Sequence, residues 1–241
     1  MEPEQHGKSS GLHWAAGIVL VLLVMALAGI SQPVVLKSRK AADRTEAINN
    51  VKQIGAMLIE FDTEYGSFPD DKTALEVKQV TKTDFTLTGQ YSNDYFRQML
   101  ADRKPDKSEK PFWAKSPQSP KKSDDNFSTA ARALAAGEVG FSYIMESRTK
   151  GQSASGEPSR PVVVTPSYQF RPDWTFDPEV HAGKAVVLRL DNSATAMQIR
   201  EDNKKVSTTS GKTLGDTGDQ TPWGTDITPF LRAPQPRPAD K

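Results

Sequence analysis

The sequence predicts an α+β protein with segregated elements: a long, kinked N-terminal helix, transmembrane in its first half and amphipathic in its second, packed on a small antiparallel β-sheet. Three observations predict it. From Leu12 to Leu36 the chain carries no formally charged residue. Apolar residues then recur at spacings of three and four as far as Tyr65. Beyond Val139, short runs rich in β-branched and aromatic residues alternate with turn clusters.

The elements follow in order. Residues 1–11, MEPEQHGKSSG, form a polar leader. Residues 12–36 supply the run of about 20 apolar residues that a membrane-spanning helix needs. Residues 37–66 continue as an amphipathic helix. Ala47, Ile48, Val51, Ile54, Met57, Leu58, Phe61 and Tyr65 line one face, and Asp43, Arg44, Glu46, Lys52 and Glu60 the other. Gly66 stops this helix in a left-handed cap, and Pro69 prevents its resumption. A domain spans residues 67–231. In it, Ser92 or Asn93 caps a helix carrying Tyr95, Phe96, Met99 and Leu100. Residues 103–125 read as a mobile, solvated loop. Its lysines alternate with Asp106, Glu109, Asp124 and Asp125, which predicts a solvated face rather than a phosphate-binding patch. Strands are expected at Val139–Met145, Val162–Val164, Ala185–Leu190 and Ala194–Ile199, the last two joined through Asp191-Asn192-Ser193. Residues 232–241 are proline-rich and read as a disordered tail.

Composition narrows the function classes. A formal net charge of +1, with both signs mixed along the chain, provides no field for nucleic acid. No cysteine is present, which excludes disulfides, thiol catalysis and thiolate metal sites. The only histidines are His6, His13 and His181, too few and too scattered for a histidine-rich centre. No motif supplies a nucleophile, a metal cluster or a phosphate loop, so the chain reads as a non-enzyme.

Gly11 closes the polar leader, Leu27-Ala28-Gly29-Ile30 sits deep in the apolar run, and Pro33 falls twenty-two residues after Gly11. In this register the N-terminus resembles that of type IV pilins and type II secretion pseudopilins. The resemblance implies cleavage by a prepilin peptidase between Gly11 and Leu12. It also implies a kink at Pro33, whose ring meets the carbonyl of Gly29. The ending Tyr65-Gly66-Ser67-Phe68-Pro69 resembles the close of the same helix in pseudopilins. A simple positive-inside count, with Lys37, Arg39 and Lys40 after the run and Lys8 before it, points the C-terminal side to the cytoplasm. The resemblance implies the opposite: a single-pass inner-membrane protein with its domain in the periplasm, and other pilin-like or secretion-system subunits as partners. Where the family carries glutamate five residues after the cleavage glycine, this chain has Ala16. That departure suits a minor subunit. It also suits an alternative, a membrane-tethered periplasmic binding or scaffold protein that does not polymerise.

Two further patterns lie toward the C-terminus. His181, Asp191 and Asn192 form His-x9-Asp-Asn, similar to a C-terminal signature of prepilin-like proteins, with Asn192 in the left-handed turn position. It reads as structural. Asp216, Asp219 and Asp226 flank Pro222-Trp223-Gly224. Major pseudopilins carry a calcium loop near such an element, so these carboxylates are the candidate calcium ligands.

Overall fold

A computed structural model describes residues 10–119 and 122–238, with only the backbone for 10–13, 15–16 and 21–34. The chain divides into two units, residues 1–40 and 41–241. Its first element, α1 (Ser10–Tyr65), is 56 residues long. In the first unit, the described side chains of Trp14, Val19, Leu20, Val35 and Leu36 are exposed. Among the described residues no helix is long and apolar enough to cross a membrane. Most of the predicted span, including Gly11, Leu12, Gly29 and Pro33, lies outside the residues whose side chains are described.

The second unit is an α+β domain. After α1 come α2 (Asp71–Thr81), α3 (Ser92–Phe96) and strands β1 (Ser142–Met145), β2 (Pro161–Thr165), β3 (Lys184–Arg189), β4 (Ala194–Gln198) and β5 (Phe230–Arg232). All strand pairs are antiparallel, in the order β4-β3-β2-β1-β5. The predicted stripe on α1 packs as expected. Ala47, Val51, Ile54, Leu58 and Phe61 are buried in one core with Tyr143, Met145, Val186 and Leu188. Alternate residues of the same strands, Ile144, Val164, Ala185 and Val187, enter a second core with Phe176, Val206, Leu214 and Trp223. Successive strand side chains point to opposite faces, so α1 covers one face and the 199–231 excursion the other. A sheet covered on both faces makes strands that read as continuous apolar runs.

Gly66 (φ +80°) ends α1, its N–H reaching the Asp62 carbonyl at 2.7 Å. The chain then restarts as α2, which the apolar periodicity does not reveal. Asp70 caps it: Oδ1 accepts from the Thr73 N–H at 2.7 Å, and Thr73 Oγ1 accepts from the Asp70 N–H at 2.8 Å.

Two segments differ from expectation. The 103–125 stretch is packed in part: residues 103–106 are exposed, but Glu109, Phe112, Trp113 and Ala114 are buried, because the last three are apolar enough to enter the fold. Asn50 Nδ2 donates to the Trp113 carbonyl at 2.9 Å. Lys107 pairs with Glu60 and Lys115 with Asp43, each at 3.0 Å, and Lys122 pairs with Glu46. The charged face of α1 is therefore matched to this loop. Each exposed pair contributes at most about 1 kcal/mol, so the buried aromatic residues hold the loop. The C-terminal segment is the second difference. Phe230–Arg232 joins the sheet, Ala233 is buried, and the Gln235 N–H donates to Asn93 Oδ1 at 2.8 Å.

Candidate functional site

His181 is fully buried, and neither ring nitrogen has a hydrogen-bond partner. Its backbone carbonyl accepts from Arg44 Nη1 of α1 at 3.3 Å. Burial pushes the imidazole pKa down to about 4; nearby Asp43 opposes the shift and Arg44 adds to it. The lowered pKa keeps the ring neutral near pH 7. Asp191 lies beyond the other end of β3, roughly 20 Å of extended chain away at about 3.3 Å per residue. It is exposed, and its Oδ1 accepts from the Ser193 N–H at 2.8 Å. The two form no catalytic pair.

Asn192 adopts the left-handed conformation expected of it, with φ +60°. Its N–H bonds the Arg189 carbonyl at 3.0 Å, closing the β3–β4 turn. The side chain meets α1 at Gly55. A Cβ on that glycine would collide with Asn192 Oδ1 and crowd Leu188. The two ends of β3 are therefore held against α1 by the His181 carbonyl on Arg44 and by Asn192 at Gly55, while Asp191 only shapes the turn through Ser193.

The buried imidazole predicts a pH dependence. Between about pH 4 and its ordinary pKa near 6.5, the unfolded chain takes up a proton that the folded chain refuses. Stability is then lost as pH falls through that window, by an amount on the order of 3 kcal/mol at its lower end. Buried Asp94 and Glu109 work in the opposite sense, since burial raises their carboxyl pKa values. The comparison must be differential. The loss between pH 7.5 and pH 5, measured by urea unfolding, is expected to be clearly smaller in His181→Leu than in wild type. An identical loss in both would refute this role for His181.

The three aspartates near Trp223 do not converge. Asp216 Oδ2 accepts from the Thr213 N–H at 2.7 Å, and Asp226 Oδ1 accepts from Thr225 Oγ1 at 3.0 Å. Among the described residues no three His, Cys, Asp or Glu side chains come together as a metal site. Trp223 itself is core: its indole N–H bonds the Leu214 carbonyl at 2.7 Å.

Sequence reading missed a cleft of about 720 Å³ on the sheet face away from α1. Arg160, Arg189, Met197, Thr208, Trp223 and Ile227 are among its lining residues. Arg160 Nε donates to the Pro222 carbonyl at 2.9 Å, and its Nη1 lies 3.4 Å from Glu146. The cleft joins three segments far apart in sequence, so no local spacing announces it. Comparison with family models, curated proteins and solved structures finds no match for this chain.

Proposed function

We propose that this chain is a non-enzymatic, pseudopilin-like subunit of a type II secretion or type IV pilus-like envelope assembly, and a minor one. In this reading residues 12–36 cross the inner membrane, α1 kinks at Gly29 and Pro33, and residues 67–231 form a pilin-like domain in the periplasm. One observation carries it. A single helix, α1, is buried along Ala47–Phe61 in the domain core yet exposes Trp14, Val19, Leu20, Val35 and Leu36. Large exposed apolar surface calls for lipid or a partner. The joint register of Gly11, Gly29 and Pro33 supports lipid and the prepilin-like reading.

Ala16 and the cleft favour a second reading, the tethered binding or scaffold protein that never polymerises. A carboxylate at that depth is costly unless paired, and Ala16 offers none to a neighbouring subunit's amine. Under the first reading the mature chain begins at Leu12, and Gly11→Ala leaves a longer precursor. Cysteines at Val24 and Leu27 then crosslink to a different pilin-like protein, not into ladders of this chain. A mature terminus at Met1 or Glu2 with no crosslinks would select the tether.

A further inference from the structure

The two edges of the sheet are treated differently. Beyond β5 the chain is sealed: the Ser92 N–H donates to the Ala233 carbonyl at 2.9 Å, and Arg232 Nη2 donates to Tyr95 Oη at 3.1 Å. The β4 edge is open. The Arg189 N–H to Ser193 carbonyl and Ile199 N–H to Gly183 carbonyl bonds, each 2.9 Å, set the phase of the β3–β4 ladder. In an antiparallel pair, bonded and non-bonded positions alternate. Thr195 and Met197 therefore bond to β3, and Ala194 and Ala196 turn their N–H and C=O groups outward. No described residue hydrogen-bonds to those groups. Farther along, Ile199 is bridged by Val206, so the open part is the half beside the cleft. Ala194-Thr195-Ala196-Met197 has no charge and no proline, the usual devices that blunt an edge.

Arg189 gives this edge a chemistry. Its side chain leaves β3 on the cleft face and reaches the side chains of β4, with Nη1 donating to Thr195 Oγ1 at 2.8 Å and Nη2 to Met197 Sδ at 3.4 Å. It is half-buried and makes no ion pair among the described residues. Asp191 is close enough to feel its charge but turns its carboxylate to Ser193. A guanidinium has five donors in a fixed fork suited to a carboxylate, and most of them here are uncommitted.

We infer that the β4 edge and the adjoining cleft bind an extended acidic segment of another polypeptide, which adds as a sixth strand and sets one carboxylate on Arg189. Main-chain bonds to Ala194 and Ala196 supply affinity, and alternate side chains enter the cleft over Met197 and Ile227, the mode of strand addition. A second copy of this chain is the poorer occupant. Two β4 edges paired about a two-fold axis would bring two Arg189 guanidiniums together on one face. The inference concerns the domain and does not depend on how residues 12–36 are anchored.

The test is selection of a random peptide display library on the full chain kept in solution by a mild detergent, which serves whether or not residues 12–36 span a membrane. Enriched peptides are expected to share an Asp or Glu within an alternating run of β-branched residues. Arg189→Lys keeps the charge but loses the fork, and should weaken binding of such a peptide roughly tenfold or more. Ala196→Pro removes one outward N–H at an edge position that tolerates proline, and should do the same. Unchanged melting temperatures qualify the variants. Should either fail to fold, the wild type decides: a guanidinium–carboxylate contact weakens as sodium chloride rises. No enrichment, enrichment without an acidic residue, or binding indifferent to the variants or to salt would overturn the proposal. So would self-association abolished by Ala196→Pro, which would assign the edge to a second copy.

Discussion

Asp94→Ala is expected to destabilise the domain by about 3–5 kcal/mol, the range for breaking one side of a buried ion pair. Asp94 and Arg97 are buried, with Asp94 Oδ1 2.7 Å from Arg97 Nη1. Burial raises the Asp94 pKa and lowers that of Arg97, so for each group the cost of leaving water outweighs the attraction of its partner. Such a pair adds little net stability, but removing half of it strands a charge. Arg97 also organises the chain around it. Its Nε donates to the Ala133 carbonyl at 2.7 Å and its Nη2 to the Leu134 carbonyl at 3.1 Å. Asp94 Oδ2 accepts from the Tyr91 N–H at 3.1 Å, fixing the start of α3. In a double-mutant cycle by urea unfolding, Asp94→Ala with Arg97→Met should cost well under the sum of the two single changes. Additive losses would show that the two side chains act independently.

Leu58→Ala is expected to cost about 2–5 kcal/mol, the range for truncating a buried leucine whose surroundings cannot collapse. Leu58 is buried on α1, between the turns that carry Ile54 and Phe61, in the core that includes Val186 and Leu188. The neighbouring Gly55–Asn192 approach leaves the backbone little freedom to close the gap. Ile59→Ala, one residue along on the exposed side, should change stability by no more than about 0.5 kcal/mol. Equal effects at the two positions would mean that α1 is not the spine of this domain.

Parts of this architecture were legible because they are periodic. The Ala47–Tyr65 stripe, its stop at Gly66 and the hairpin through Asn192 all depend on residues adjacent in sequence. Strand β1 is shorter than the Val139–Met145 run, because Gly140 is drawn to another element. Its N–H donates to the Phe112 carbonyl at 3.0 Å, and its Cα faces the Ala114 backbone too closely for any side chain. Helix α2 buries only Thr73, Ala74 and Val77, too few for a clear stripe, though Asp70 and Thr73 after Pro69 spell a capping signal. Strand β5 is three residues long and bounded by proline-rich sequence, and only its pairing with β1 defines it. The cleft arises where residues 157–161 and 208–227 meet the β3–β4 hairpin, which no local pattern encodes.

On the proposed reading, α1 anchors a domain that lies outside the cytoplasm. The chain has no cysteine, so a single introduced thiol reports its own location. Lys72→Cys on α2 suits this, since the Lys72 side chain is 80% exposed. The measurement is labelling by a membrane-impermeant maleimide in intact spheroplasts, with the labelled chain then followed through carbonate extraction. Full labelling before lysis and retention in the membrane pellet are expected. Labelling only after lysis, or release of the chain by carbonate, would contradict that reading.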